Sequence, residues 1–200
     1  MTGLKRGNVK LLPHQEEWNK NAEHVILKLK QLLGYAAADV QHVGSTAVPS
    51  IYAKPIIDIV IGLRDLNDIS PYMKRLEEQG FVFRGEDVAG QMLFVMGDFE
   101  KDTRTHHIHA VKWNGTEWNN YINFRDYLNW HPDQAMQYDA CKKKLALQFP
   151  DDRKSYTEGK QEFIECLLKE AYVWRQRQDP SFLTVFSQTD NGLHSVPQES

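Results

Sequence analysis

The sequence has few cysteines and no long apolar run. Its 200 residues include only Cys141 and Cys166, which do not form a CxxC pair. A disulfide framework and a cysteine-based zinc site are therefore not expected. No stretch approaches the roughly 18 apolar residues that span a bilayer, and the first residues lack the apolar segment of a signal peptide. We therefore expect a cytoplasmic protein with no membrane partner.

The chain also lacks a strong excess of either charge. It has 24 Lys and Arg against 27 Asp and Glu, a net charge of −3. Proteins that bind duplex DNA gain most of their affinity by neutralising phosphates, so this balance argues against a duplex DNA partner. A small anionic ligand is compatible with it, because one pocket can be basic on an acidic protein. Nothing in the sequence indicates the oligomeric state.

The hydrophobic pattern predicts an α+β chain. Apolar residues at spacings of three and four predict a helix from about Gln15 to Leu33. Strands are predicted in DVQHVGS, PIIDIVIGL, FVFRG, QMLFVMG and THHIHAVKW, with a helix over LNDISPYMKRLEEQG. Three helices then follow, in TEWNNYINFRDYLNWH, PDQAMQYDACKKKLALQFP and SYTEGKQEFIECLLKEAYVWRQRQ. We expect one domain over residues 1–178, with a sheet part at about 9–113, a helical cap at about 114–178, and a loosely held tail at 179–200.

Asp58 is a lone carboxylate on an otherwise apolar strand, IIDIVI. Side chains alternate along a strand, so Asp58 and Val60 share one face and Ile57 and Ile59 the other. A buried carboxylate is costly unless a positive group meets it. The partner is a metal ion, the nearby Lys54 or another side chain. Asp58 is therefore either a structural ion-pair partner or a metal ligand or general base.

The turn GSTAVP precedes this strand. Gly44 allows a tight turn and a close approach of the backbone. Ser45 and Thr46 add hydroxyl and N–H groups that can hold a phosphate, although many Gly-Ser pairs are plain turns. The segment is not a P-loop, because the Gly-Lys-Ser/Thr sequence is missing.

Two histidines share one face of the strand in THHIHAV. His107 and His109, two residues apart, can hold a metal ion or a phosphate. The alternative is a solvated face, with His106 as an incidental neighbour. The His-x-His-x-His motif of the histidine triad hydrolases is excluded, because Val111 occupies the third histidine position.

Several cations on the C-terminal helices are candidate anion contacts. Arg125 stands among aromatic residues and suits a bidentate contact. The run KKK is typical of a solvated helix face, from which Lys142 is the lysine most expected to turn inward. Tyr156 and Lys160 are four residues apart on one helix face and can reach back towards the sheet.

Four phrases together resemble the GrpB family, also catalogued as UPF0157. They are HVGSTAVPSIYAKPIIDIVIG, HHIHAV, FRDYLNWHPDQAMQYDACKKKLA and SYTEGKQEFI, and the resemblance covers roughly Val9 to Leu168. It implies the nucleotidyltransferase fold of the DNA polymerase β type, a small mixed sheet flanked by helices. In that superfamily Gly-Ser ends the first strand, Asp-x-Asp/Glu follows on the next, and a third carboxylate lies on a neighbouring strand.

The resemblance implies roles for individual residues. Gly44 and Ser45 match the Gly-Ser pair, and Asp58 matches the first carboxylate. The implied enzyme transfers a nucleoside monophosphate from an NTP to an unknown acceptor, using Mg²⁺ or Mn²⁺. Ser45 would hold the phosphates, and Lys54 or Arg125 would meet the triphosphate charge. The sequence departs from the pattern at Val60, the position of the second carboxylate, and no third carboxylate is evident.

Two alternatives follow from these departures. The first is a non-catalytic protein that binds a nucleotide or another small phosphorylated ligand. A coenzyme A-related ligand is suggested because some GrpB domains are fused to dephospho-coenzyme A kinase. The second is a hydrolase with Mn²⁺ or Zn²⁺ held by Asp58, His107 and His109. With Asp58 and Lys54 as the candidate catalytic residues, the predicted ligand contacts are Gly44, Ser45, Thr46, His107, His109, Arg125, Lys142 and Lys160.

Overall fold

The computed structural model describes residues 2–86 and 89–178. Its strands are β1 (Leu4–Lys5), β2 (Ala37–Val43), β3 (Ile57–Leu63), β4 (Val82–Phe83), β5 (Gln91–Met96), β6 (Thr103–Arg104) and β7 (His106–Lys112). Its helices are α1 (Glu16–Leu33), α2 (Met73–Glu78), α3 (Thr116–Trp130), α4 (Pro132–Gln148) and α5 (Arg153–Gln178), and shorter 3-10 turns cover Gly34–Ala36, Ser45–Ala47 and Leu66–Tyr72. The predicted tail, 179–200, lies outside the described residues.

Five strands form one mixed sheet, in the order β2-β3-β7-β5-β4. β3 and β7 run parallel, and the other neighbours are antiparallel. A parallel pair needs a long crossover connection, which the chain between β3 and β7 supplies. This mixed sheet flanked by helices confirms the predicted α+β architecture. β1 and β6 form a separate two-stranded ribbon, which the sequence pattern did not predict.

Helices cover both faces of the sheet at β3, and every residue of that strand is buried. Ile57 and Ile59 pack in one core with Trp18 of α1. Val60, on the opposite face, packs with Trp118 of α3. A further apolar cluster joins α3, α4 and α5. A continuous apolar run is the sequence signature of such a doubly covered strand.

The segment predicted as one helix over LNDISPYMKRLEEQG is a 3-10 turn followed by the short helix α2. Asp65 caps the turn, and its carboxylate accepts from Asn67 N at 2.8 Å. Pro71 lies inside the turn and lacks the N–H that a continuous α-helix requires there. Within residues 2–86 and 89–178, no helix is both long and apolar enough to cross a bilayer.

Candidate functional site

Asp58 lies directly against the Gly44 turn. Val43, the last residue of β2, pairs with Asp58 of β3. Gly44 has a φ of 69°, and a Cβ built on it would lie 2.5 Å from Asp58 Oδ2. Only a residue without a side chain fits this approach at this φ without strain. The turn and the carboxylate therefore form one unit, in which the Gly44 backbone takes the space beside Asp58.

Two histidines of β7 meet the same carboxylate. β7 runs parallel to β3, with His107 beside Asp58 and His109 beside Val60. His107 Nδ1 is 3.3 Å from Asp58 Oδ1, and His109 Nε2 is 3.9 Å from it. The side chains that contact Asp58 thus include two imidazoles, which the sequence pattern places on the correct face.

The protonation states follow from burial and pairing. Burial raises the pKa of Asp58, but hydrogen bonds and charge from His107 and His109 outweigh it and hold that pKa below its ordinary value. Burial lowers the pKa of His107 to about 4, against the opposing effect of Asp58. At neutral pH the carboxylate is therefore ionised and His107 is neutral, with its Nδ1 facing Asp58 Oδ1.

A polar cleft opens on one side of Asp58. It encloses about 300 Å³, including open solvent, and it narrows to room for about one water molecule. Its lining residues come from the Gly-Ser turn, the loop before β3, and helices α4 and α5: Ser45, Thr46, Lys54, Ile56, Asp58, Lys142 and Tyr156. Two lysines and three hydroxyl-bearing side chains therefore line the same cleft as a single carboxylate.

Lysines and an aromatic ring organise this cleft. Lys142, the inward lysine of its run, is buried and donates to the backbone carbonyl of Tyr52. Lys54 and the fully buried Lys160 both lie over the ring of Tyr156, at 5.4 and 4.8 Å from its centroid. Cations over an aromatic face gain electrostatic stabilisation. The ring of Tyr156 therefore contacts Lys54, which lines the cleft, and Lys160, which does not.

A second, largely apolar cleft also reaches Asp58. Its aromatic side includes Tyr121, whose ring stacks on His109 with centroids 5.0 Å apart. The hydroxyl of Tyr121 donates to Gln91 Oε1 at 2.9 Å. The complete lining is Gly44, Asp58, His109, Asn120, Tyr121, Phe124, Ile164 and Leu168. Asp58 therefore separates a cationic compartment from an aromatic and aliphatic one.

Arg125 does not line either cleft. Its Nη1 donates to Gln41 Oε1 and to the carbonyl of His42, both at 2.9 Å. Its Nε donates to Asp126 Oδ1 at 2.8 Å. The two bonds of Nη1 hold α3 against β2. Arg125 therefore directs its guanidinium at the protein's own backbone and side chains, away from the anion contact predicted for it.

Arg153 is a nearby residue that the sequence pattern did not reveal. It is the first residue of α5, and its backbone N–H donates to the carbonyl of Gly7 at 3.2 Å. Burial lowers the pKa of its guanidinium, and the negative charge of Asp58 raises it. The positive charge of Arg153 also lowers the pKa of His107, although burial of the imidazole is the larger cause. No motif marks Arg153, because its position depends on how the start of α5 meets the N-terminal segment.

His42, which is half-buried, and His106, which is buried, lie on the other face of the sheet, where their strand neighbours are Ile59 and Ile57. His42 Nε2 lies 2.9 Å from Thr46 Oγ1, and His106 Nδ1 lies 3.0 Å from Thr105 Oγ1. Burial lowers the pKa of both imidazoles to about 4. His106 is therefore a buried side chain, and so are His107 and His109 on the opposite face, which corrects the alternative of a solvated strand face.

The residues beside Asp58 do not fit a two-metal centre. Val60, at the position of the second carboxylate, is fully buried in an apolar cluster. The neighbouring strand presents His107 and His109, while Mg²⁺ prefers oxygen ligands. Among the residues that the structure describes, no group of three or more His, Cys, Asp or Glu side chains has the arrangement of a metal site. The geometry therefore lends no support to the predicted metal site of Asp58, His107 and His109.

Comparisons with known proteins agree with the resemblance noted in the sequence. The family model described as "GrpB protein" matches residues 8–170. The "Glutamate-rich protein GrpB" of Alkalihalophilus pseudofirmus is 38% identical over 173 residues, covering 85% of this chain and 99% of that protein. The crystal structure of "conserved protein GrpB" from Enterococcus faecalis matches with a TM-score of 0.74 and 32% identity, covering 81% of this chain and 96% of that chain.

More distant solved structures also match part of this chain. One is terminal uridylyl transferase 4 from Trypanosoma brucei with bound dUTP, at 14% identity and a TM-score of 0.49. It covers 93% of this chain and 63% of that chain.

Proposed function

The chain belongs to the GrpB protein family, and we propose that it binds a phosphorylated small molecule beside Asp58 without requiring a metal ion. The observation that carries this proposal is the composition of the polar cleft. Lys54 and Lys142 line it together with the hydroxyls of Ser45 and Thr46. Ammonium and hydroxyl groups are ordinary donors to phosphate oxygens.

The charges around the cleft favour an anion. Asp58 is the one carboxylate in its lining, against two lysines. Asp139, whose Oδ1 is 4.0 Å from Lys142 Nζ, offsets part of that charge. A cleft with low-dielectric walls concentrates the remaining positive potential at its mouth. A phosphoryl group is larger than the narrow part of the cleft, so we expect lysine side chains to move when it binds.

The apolar cleft supports an organic ligand rather than a free phosphate ion. It adjoins the polar cleft at Asp58 and offers the rings of Tyr121 and Phe124 and the side chains of Ile164 and Leu168. Sites for small molecules commonly combine apolar walls with a few polar groups that fix the orientation. A nucleotide or a coenzyme A-related molecule has both parts.

Nucleotidyl transfer is the second candidate function, favoured by one observation. The Gly44-Ser45 turn leads to a strand whose carboxylate lies against it, as the superfamily pattern requires. That chemistry needs divalent metal at Asp58, so metal dependence separates the two functions. The hydrolase alternative also needs a metal and falls under the same test.

The test is isothermal titration of the full chain with phosphate, ATP and dephospho-coenzyme A, each with Mg²⁺ or with EDTA. We expect binding of similar affinity under both conditions. Lys54→Met should weaken it about tenfold or more, because a charge-assisted hydrogen bond is lost. Lys144→Met is the matched control, since Lys144 is an exposed lysine on α4. Binding that requires Mg²⁺, or equal affinity for the two lysine variants, would overturn the proposal.

A further inference from the structure

Three arginines meet at one corner of the molecule, next to the polar cleft. Arg104 belongs to β6, which pairs with β1 so that Leu4 faces Arg104. Arg6 follows β1 directly, and its backbone N–H donates to the carbonyl of Asp102 at 2.9 Å. The backbone bond from Arg153 to Gly7 brings the start of α5 to the same place. Residues distant in sequence are thus brought together by main-chain hydrogen bonds.

The corner carries more positive than negative charge. Arg104 is 8% exposed, and its Nη2 is 3.4 Å from Asp102 Oδ1. Burial lowers the pKa of Arg104, and the charges of Arg84 and Arg6 lower it further. Burial also lowers the pKa of Arg153, with contributions from Arg6 and Arg104. Mutual repulsion of this kind is relieved when an anion binds.

The corner is continuous with the polar cleft. Gly3 N donates to the carbonyl of Pro55 at 2.6 Å, and Pro55 directly follows Lys54 in the loop before β3. Ile57 N donates to the carbonyl of Thr105, the residue after Arg104. Arg153 interacts electrostatically both with Asp58 in the cleft and with Arg6 and Arg104. These backbone bonds therefore place the arginine corner beside the loop that carries Lys54.

We propose that Arg6, Arg104 and Arg153 form a second anion site, which binds a further phosphoryl group of the ligand held at Lys54. The ligand class is then a molecule with at least two phosphoryl groups, such as a phosphoanhydride. Guanidinium groups bind phosphate oxygens in bidentate fashion. They supply the charge neutralisation that a metal ion commonly gives such a ligand. This inference rests on the proposed function, because it extends the same cleft.

The experiment compares pyrophosphate with orthophosphate on the full chain, in EDTA and at equal ionic strength. We expect pyrophosphate to bind at least about tenfold more tightly. Arg153→Gln should remove most of that difference, with a much smaller effect on the affinity for orthophosphate. The substitution keeps the backbone bond to Gly7. Arg6→Gln, at an exposed position, should act in the same direction and guards against a folding defect in the first variant.

Lys154→Gln is the matched control. Lys154 follows Arg153, is 85% exposed and contacts Glu158 at 3.8 Å. An equal loss in this control would show nonspecific attraction and overturn the second site. Equal affinity of wild-type protein for both anions, with orthophosphate binding still sensitive to Lys54→Met, would also overturn the second site while leaving the proposed function intact. Absence of binding by either anion would overturn the second site, and the proposed function would be lost with it only if ATP and dephospho-coenzyme A also fail to bind.

Discussion

At the scale of the residue, the site depends on what surrounds one buried carboxylate. Asp58 is contacted by His107 and His109 on the neighbouring strand and shares its cleft with two lysines. Its place on the polar face followed from the two-residue period of the strand, and so did the pairing of the histidines on one face. The contribution of Arg153 did not follow, because periodicity describes neighbours within an element only.

Gly44→Ala should disrupt the site and the fold together. The new Cβ would lie 2.5 Å from Asp58 Oδ2, at a φ of 69°. We expect the free energy of unfolding to fall by about 2 kcal/mol or more. Gly80→Ala is the control, since Gly80 has a φ of 87° and no atom within 4 Å of the new Cβ. Urea denaturation compares them, and an equal loss in both variants would deny any effect of the Asp58 contact.

Stability should decrease as the pH falls through the histidine range. The pKa values of His42 and His106 drop from 6.5 to about 4 in the folded protein because of burial. Between these values the unfolded chain binds protons that the folded chain does not. Each such histidine therefore contributes a slope of up to about 1.4 kcal/mol per pH unit, with stability higher at the higher pH.

Urea denaturation at several pH values between about 7 and 5 measures this slope. His106→Asn should reduce it by the contribution of one group. His24→Asn, at an exposed position of α1, is the matched control for the same change of side chain. A wild-type stability that is flat across this range would contradict the buried neutral state of these histidines.

At the scale of the element, α3 is held to the sheet by Arg125. Its bonds reach β2, and Asp126 beside it pairs with Arg175 of α5. Arg125→Gln should lower the free energy of unfolding by about 1–3 kcal/mol without changing phosphate affinity. Arg64→Gln is the control, since Arg64 is exposed and its Nη1 donates to the carbonyl of Tyr35 at 2.9 Å. Loss of phosphate binding without loss of stability would instead support the anion contact predicted from the sequence.

The type of a secondary-structure element could be predicted from the sequence where its hydrophobic pattern extends over several turns. The helix predicted from about Gln15 to Leu33 is observed as Glu16–Leu33, because its apolar stripe repeats over several turns. The two-residue strands β1 and β6 have no pattern to recognise, since their pairing comes from the tertiary fold. Yet this ribbon carries Arg104 and precedes Arg6. The cluster of Arg6, Arg104 and Arg153 could therefore not be predicted from the sequence, because it depends on the same tertiary pairing of β1 and β6.

At the scale of the whole molecule, the family resemblance and the hydrophobic pattern predicted the same architecture, and the mixed sheet and GrpB comparisons confirm it. Consistency between local pattern and global fold is what makes such a prediction secure. The site was less predictable, because function depends on the chemistry of particular side chains within a fold. In the sequence, Val60 is the residue that departs from the superfamily pattern of carboxylates. In the structure, its side chain is buried in an apolar cluster.

The most direct test of metal-independent phosphate binding is the effect of Asp58→Asn on ATP affinity in EDTA, measured by titration of the full chain. A carboxylate in the cleft repels phosphate, so its neutralisation should preserve the affinity or strengthen it by up to about tenfold. A thermal melt confirms that the variant is folded. A metal-dependent nucleotide site predicts the opposite, binding only with Mg²⁺ and loss of that binding in the folded Asp58→Asn variant, and this result would contradict the account.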